Sequence, residues 1–369
     1  MAATGRELMA RMEQLSPSAL AVEKDRIGLQ VGNPDAEVKG ILLALDVTEA
    51  VVDEAIRLGT NWIIAHHAVL FRPLSDLRQD RPAGRLFAKL LKHDIQVYVA
   101  HTNLDSAPGG VNDVLADKLG LTNLRVMIPT HRETYKKVVV TIPKDHHEAV
   151  LQAMCEAGAG WIGNYSHCTF NLLGTGTFRP EEGTNPFIGT QGALERVEEV
   201  RLETIVPSRI QSRVVQALID AHPYEEPAYD LYPLDLEGPK QGLGRIGRLE
   251  HPLSLGDFAG RVKEAYGLSH LRSVGNPDIA VTTVAVLGGS GGRYWQEAKR
   301  QGADVYITGD LDHHTALDAR EAGLCLLDPG HHVEHWVLEP LKQLLVNSGE
   351  WEEKQIYVTS VNTNPFQFV

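Results

Sequence analysis

Gly59-Thr60-Asn61-Trp62-Ile63-Ile64-Ala65-His66-His67 is the stretch from which the fold can be read. The apolar run Trp62 to Ala65 is short, partly β-branched and preceded by a glycine, which predicts a buried strand. A strand with no polar face belongs to a sheet covered on both sides. Open sheets of that kind bind ligands just past the carboxyl ends of their strands, and two adjacent histidines stand at this end. Imidazole is the commonest metal-ligating side chain, so His66 and His67 are candidate metal ligands. Taken alone, such a pair is more often two ordinary polar residues where a loop begins.

The composition sets limits. At 369 residues the chain is long for one average domain, and roughly two are expected. An apolar fraction of 43% supports a sizeable core, and a formal charge of −13 argues against a surface built to grip a nucleic acid backbone. Three scattered cysteines, Cys155, Cys168 and Cys325, form neither a zinc ribbon nor a disulfide framework and read as reduced thiols. Residues 1–20 carry Arg6, Glu7, Arg11 and Glu13 and lack the apolar core of a signal peptide. No stretch approaches the roughly 20 apolar residues that a spanning helix needs. A soluble, cytoplasmic protein with no membrane partner is the expectation.

Upstream of the decisive strand, the pattern predicts a helix over 6–15, a strand over 40–45 and a helix over 49–58 with Asp46 and Thr48 as N-cap candidates. Downstream come a helix over 84–93, a strand over 95–100 ending in His101-Thr102-Asn103-Leu104-Asp105, and a helix over 111–119. This alternation predicts a mainly parallel sheet. Composition then changes. Strands over 136–143, 197–206 and 228–234, helices over 145–157 and 208–221, and several short strand-like pieces between glycines describe a small α+β module, ferredoxin-like in outline. Gly238-Pro239-Lys240-Gln241-Gly242 reads as its exit linker.

The α/β rhythm resumes with a strand over 281–287, Gly288-Gly289-Ser290-Gly291-Gly292, a helix to Arg300, a strand over 305–308 and Gly309-Asp310. Counted from Gly59 and from Gly302, His66-His67 and Gly309-Asp310 fall at equivalent steps. That points to a weak internal repeat, two related α/β halves of one domain facing a shared cleft. The glycine run precedes a helix, where phosphate can bind. It lacks the Walker Lys-Ser/Thr ending and the dinucleotide spacing, and a plain turn explains it as well.

The last stretch supplies further donors. A strand over 324–327 is followed by Asp328-Pro329-Gly330-His331-His332-Val333-Glu334-His335 at the opening of the last helix. His331 lies three residues before Glu334 and four before His335, and either spacing puts the pair on one helical face. Two strand-end histidines, a strand-end aspartate and a His-x-x-Glu pair make a mixed nitrogen and oxygen set, suited to zinc, iron or manganese rather than calcium. Five or more ligands exceed the three protein ligands of a simple catalytic zinc, so two divalent ions per chain fit better.

Ala65-His66-His67, His101-Thr102-Asn103-Leu104-Asp105, Thr308-Gly309-Asp310 with His313-His314, and Gly330-His331-His332-Val333-Glu334 together resemble the Ngg-interacting-factor-3-like family, also known as GTP cyclohydrolase I type 2 homologues. The resemblance covers residues 1–125 and 245–369, the two halves of the metal-binding α/β domain. Residues 130–240, with His222-Pro223-Tyr224-Glu225-Glu226-Pro227-Ala228-Tyr229, look like the CutA- or PII-like insert of the longer bacterial branch. The resemblance implies a toroidal homohexamer, a dinuclear metal centre and ligands at His66, His67, Asp105, His331 and Glu334. His101 and His314 would then be proton-handling catalytic groups or supports for the ligands. Many members carry the terminal Glu four residues after the histidine, where this chain has His335, so His335 stays a competing ligand. The implied function is hydrolysis of a nucleotide-like small molecule by water that the ions make acidic. GTP is the substrate the family name suggests, and nothing in these residues identifies guanine. A non-enzymatic metal-binding or regulatory scaffold is the competing class, and a nucleic-acid-handling ring is disfavoured by the charge.

Overall fold

The computed structural model describes residues 3–367. The first segment of the chain forms α1 (Gly5–Leu15), β1 (Gly28–Val31), β2 (Ile41–Ala44), α2 (Glu49–Leu58), β3 (Trp62–Ala65), α3 (Pro82–Lys92), β4 (Gln96–Val99), α4 (Thr102–Ser106), α5 (Val111–Lys118) and β5 (Thr122–Arg132). The middle segment forms β6 (Tyr135–Pro143), α6 (His147–Glu156), β7 (Thr169–Phe178), β8 (Glu195–Pro207), α7 (Gln211–Ala221) and β9 (Tyr229–Leu234). The last forms β10 (Lys240–Ser254), α8 (Leu255–Tyr266), β11 (Arg272–Val274), β12 (Ala280–Val286), α9 (Trp295–Arg300), β13 (Val305–Ile307), α10 (His313–Glu321), β14 (Cys325–Asp328), α11 (Leu338–Val346) and β15 (Ile356–Val358).

Local chemistry accounts for the element ends. At the start of α2 the Thr48 hydroxyl accepts from the Val51 N–H, and Gly59 closes the helix at φ 71°, a left-handed conformation that suits glycine. Pro82 opens α3, where its missing N–H would have found no helical partner anyway.

The chain divides into two compact units, one made of the outer segments up to His131 and from Gln241 onward, the other Arg132–Lys240. The outer unit holds two sheets, ordered β1-β4-β3-β2-β15 and β11-β14-β13-β12-β10-β5. In the first, β15, β2, β3 and β4 are parallel and β1 lies antiparallel at the edge. In the second, β12, β13 and β14 are parallel and β11 lies antiparallel on β14. The same four-strand order therefore occurs twice, and β3 and β13, like β4 and β14, end at corresponding places. Each sheet also takes an outermost strand from the other segment. β15 pairs with β2, Ile356 opposite Ile41, while β5 joins the second sheet beside β10.

Alternation along the strands builds the layers. Ile41, Leu43, Trp62 and Ile64 share one core with Val305, Ile307 and Leu327 and with α-helical Leu8, Leu115, Phe258 and Leu341. Their neighbours Leu42, Ala44, Ile63 and Ala65 pack instead under α2 and α3, on Val51, Ala55, Phe87 and Leu90. Tyr306 and Leu326 turn to a third cluster with Ala298 and Ala319. All eight residues of β2 and β3 are buried, as a strand covered on both faces requires.

The unit Arg132–Lys240 is an antiparallel sheet of order β7-β8-β6-β9, with α6 and α7 contributing Val150, Met154, Val214 and Leu218 to its core. Of the predicted short pieces, those around Gly174 and Gly176 are one continuous strand, β7, paired with β8 from Thr169 to Phe178, while Gly183 and Gly189 lie in irregular chain before β8. The stretch 238–242 is not a linker throughout, since β10 begins at Lys240. Its Gly242 (φ 155°) passes so near β5 that a Cβ would stand 2.0 Å from the Ile128 carbonyl oxygen.

Arg245 ties the outer segments together. Its guanidinium is 5% exposed, donates to Asp113 Oδ2 at 2.9 Å, and meets the carbonyls of Gly242 and Gly244 at 2.9 and 3.0 Å. Removing it leaves two buried carbonyls unpaired and takes the counter-charge from Asp113, which keeps only the Gly109 N–H at 2.7 Å. Arg245→Met is expected to cost about 3 kcal/mol of stability, read as a lower urea midpoint at unchanged slope. A loss below about 0.5 kcal/mol would reduce the pair to the rank of a surface ion pair.

Candidate metal centre

β3 delivers two histidines to one rim. Beyond Ala65 the backbone stays in register, with His66 N–H donating to Ala44 O at 3.1 Å and His67 N–H to Leu45 O at 2.9 Å. The buried His66 ring donates from Nδ1 to Ala100 O at 2.8 Å, which in the neutral ring leaves Nε2 as an acceptor, 3.6 Å from both Asp105 Oδ1 and Glu334 Oε2. His67 is held through Nδ1 by Asp46 Oδ1 at 2.7 Å, and its Nε2 lies 3.1 Å from Glu334 Oε2 and 3.2 Å from His331 Nε2. His331 in turn is held through Nδ1 by Asp310 Oδ2 at 2.7 Å, with Nε2 3.2 Å from Glu334 Oε2. Each ring is thus oriented by an oxygen on one nitrogen while the other converges on Glu334. That is the usual way proteins prepare imidazole for a metal.

β4 delivers the rest. His101 bonds through Nδ1 to Asp25 Oδ1 at 2.8 Å, and its ring lies 5.3 Å from that of His66 and 5.8 Å from that of His67. The segment just beyond β4 enters the short helix α4, where Asp105 N–H donates to His101 O at 3.1 Å. One helical turn therefore separates the ring from the carboxylate.

The donor atoms form three sets, His66 with His67 and His101, His67 with His331 and Glu334, and His66 with Asp105 and Glu334, each within 4.8 Å. Two of these atoms, His66 Nε2 and Asp105 Oδ1, are buried without any hydrogen-bond partner. Buried acceptors left unpaired are costly and rare. Lone pairs converging in this way are satisfied together by a divalent cation, so the residues fit a metal centre.

The terminal motif departs from the expected α-helix. His331–Val337 is a 3₁₀-helix, and α11 starts only at Leu338. With three residues per turn, i and i+3 eclipse, which sets the buried Glu334 directly beside His331. His335 is rotated off, its Nδ1 donating to His332 O at 2.7 Å and its ring against those of His332 and Trp336. It belongs to none of the three donor sets.

Two N–H groups of the glycine run are already committed within the protein. Gly288 N–H donates to Asn112 Oδ1 at 2.9 Å and Gly291 N–H to Thr308 Oγ1 at 2.8 Å. A Cβ on Gly289 would stand 2.6 Å from Glu334 Oε1 and 3.2 Å from His331 Nε2, so the run is the close wall of the donor cluster. His314 is not brought to this place. It lies exposed in the first turn of α10, its N–H on Asp312 and its ring against His313. Asp25 and Asp46 went unrecognised as ring holders, since an orienting acceptor has no fixed spacing from its histidine. Asp310, which stood out only as a strand-end aspartate, does the same work for His331.

The electrostatics follow the geometry. Burial lowers His67, but hydrogen bonds to Asp46 and Glu334 outweigh it and raise the ring to about 10. The Glu334 hydrogen bond raises His331 to about 9 against burial. Burial lifts Asp105 to about 6. Burial pushes Glu334 upward as well, yet the surrounding histidines hold it well below the carboxylate range.

The family model described as Duf34/NIF3 (NGG1p interacting factor 3) matches residues 3–365. A protein of Halalkalibacterium halodurans named GTP cyclohydrolase 1 type 2 homolog is 50% identical over 371 residues, covering 100% of this chain and 99% of its own. The protein of that name from Bacillus subtilis is 47% identical, covering 99% and 98%. Among solved structures, a Bacillus cereus protein related to NIF3 superposes with TM-score 0.93 at 49% identity, covering 100% of both chains. A Staphylococcus aureus protein gives TM-score 0.76 at 34% identity, covering 100% of this chain and 99% of its own.

Two expectations follow from this arrangement. Glu334→Gln removes a charge and a strong acceptor at nearly constant volume and should lower bound metal, measured by mass spectrometry, toward half or less; His335→Gln should leave it unchanged. The reverse result would transfer the ligand role to His335. For the metal-free chain, rings raised above about 6.5 contribute stability that is complete below that pH and is lost as pH rises through 9 to 10. Asp105, raised to about 6, acts with the same sign at lower pH, and Glu334 is ionised throughout. The melting temperature of chelator-treated protein should therefore fall between pH 6.5 and 10, and fall less in His67→Gln. An equal slope in both proteins would refute the assignment.

Proposed function

This chain belongs to the Duf34/NIF3 family, and we propose that it is a metal-dependent hydrolase of a nucleotide-like substrate, with two divalent ions (zinc, iron or manganese) held by His66, His67, Asp105, His331 and Glu334. The observation that carries the reading is the pair of orphaned acceptors, His66 Nε2 and Asp105 Oδ1, beside a buried carboxylate shared by two donor sets. Glu334 belongs to two of the three donor sets and would hold metal in either. When bound, such ions supply Lewis acidity to substrate oxygens and make water a stronger nucleophile at neutral pH.

The remaining work falls to the chain. Ala100 O, Asp46 and Asp310 fix the three ligand rings through Nδ1, so that each turns its Nε2 toward Glu334, the nitrogen that would lose its proton to a bound cation. His101, anchored by Asp25 on Nδ1, stands beside His66 and His67 with Nε2 left to take and return a proton. His314, exposed on α10, is in none of the three donor sets and is given no step here.

The name carried by the relatives makes GTP the first substrate to test. As part of the same proposal, the outer segments are two related halves of the metal-binding domain, Arg132–Lys240 is a ferredoxin-like insert of PII or CutA type, and the protein acts as a homohexamer in the cytoplasm. The doubled strand order supports the first point. Among the described residues no helix is long and apolar enough to cross a membrane.

Metal-loaded protein is expected to turn over GTP, followed by loss of the guanine chromophore. His101→Gln should lower kcat by about 10²–10⁴-fold at unchanged metal content. Loss of metal in that variant would make His101 a ligand. A fully loaded protein inert toward GTP and other nucleoside triphosphates would favour the metal-binding scaffold instead.

A further inference from the structure

The motif His222-Pro223-Tyr224-Glu225-Glu226 has no role in the metal centre, and it borders a cavity of about 350 Å³ whose lining lies wholly within Arg132–Lys240. Three aromatic rings wall it. Tyr224 is the shared partner, 5.5 Å from Phe178 and 6.4 Å from Phe187 between ring centroids. The Tyr224 hydroxyl donates to Glu199 Oε1 at 3.0 Å, and Glu199, also lining the cavity, is 6% exposed. Its other oxygen, Oε2, lies over Gly176, 2.0 Å from where a Cβ would stand. The glycine inside β7 thus makes room for a carboxylate.

Glu199 has no resident counter-ion among the described residues. The nearby His222 cannot serve, because both its nitrogens are committed: Nε2–H donates to Thr141 O at 3.0 Å and Nδ1 accepts from Tyr224 N–H at 3.1 Å. That pattern is the neutral tautomer, and it fixes the turn that holds Tyr224 against the ring of His222, 5.0 Å away. Of the charged side chains lining the cavity, Glu199, Glu225 and Glu226 face one cation, the exposed Arg179, which leaves two negative charges in excess. Glu199 is in none of the donor sets that suit a metal ion.

A buried carboxylate is costly unless matched by positive charge, and aromatic faces carry negative potential that attracts weakly hydrated cations. We propose that this cavity binds an organic cation, an ammonium group borne on carbon that rests against Phe178, Phe187 and Tyr224 with Glu199 as its counter-ion. Quaternary and primary ammonium ligands share that chemistry, and an anionic ligand is opposed by Glu199 itself.

Calorimetric titration of the full chain with choline, ethanolamine, acetate and 3,3-dimethylbutan-1-ol tests the site, the last being the uncharged isostere of choline. Choline or ethanolamine should bind at least about tenfold more tightly than the neutral alcohol, and acetate should not bind. Glu199→Gln should weaken the cation about tenfold and leave the alcohol unchanged. Phe187→Ala, at a ring 53% exposed and so dispensable for folding, should weaken it several-fold. The proposal is overturned if neither cation binds, if the alcohol or acetate binds as well, or if both variants keep full affinity.

Discussion

The outer unit depends on one carboxylate. Glu334 is 3% exposed and lies within 3.1 to 3.6 Å of the Nε2 atoms of His66, His67 and His331. An isolated buried carboxylate would be neutralised by taking up a proton. Here the surrounding imidazoles keep it ionised, and the desolvation of each group is offset only while the set is complete. That requirement reaches far into the fold. Glu334 and His331 follow β14, His66 and His67 follow β3, and Asp105 follows β4, so the two parallel sheets must present the carboxyl ends of these strands to one place. The duplicated strand order and the core shared by both sheets meet that geometric demand.

Much of this arrangement was legible in the chain because parallel strands buried on both faces leave a strong mark. Trp62–Ala65 and Glu49–Leu58 are marked by an apolar run, a cap and a closing glycine, all local features. The strands β5, β10, β11 and β15 left no comparable mark, being half-exposed or short and existing only through partners distant in sequence. Helix α8 went unread although Ser254 caps it and Gly267 closes it. The candidate ligands were legible as donors at strand ends. The choice between Glu334 and His335 was not, because three- and four-residue spacings are equivalent on an α-helix and become distinct only on the 3₁₀ turn that the chain adopts.

Glycine plays a part at both carboxylates that spacing rules do not anticipate. Gly289 lies against Glu334 and Gly176 against Glu199, each so near that a methyl group would collide with a carboxylate oxygen. In one case the glycine belongs to a run that invites a phosphate reading, in the other to a strand that glycine ordinarily weakens. Both make sense once a charged side chain has to be accommodated beside the backbone. A glycine out of keeping with its element is therefore a pointer to a neighbour.

The exchange of outermost strands between the two sheets has a consequence for biosynthesis. Ile356–Val358 lies along Ile41–Leu43, so the sheet of β2, β3 and β4 keeps an open parallel edge until residues 356–358 have been translated. Pairing between such remote segments is slow, because loop closure precedes the gain from contact. During that interval the unpaired face of β2 is a template for intermolecular association. A nascent chain interrupted anywhere before residue 356 would thus be stranded with a sticky, fully apolar strand at its border, and folding in the cell calls for that edge to be shielded until β15 arrives.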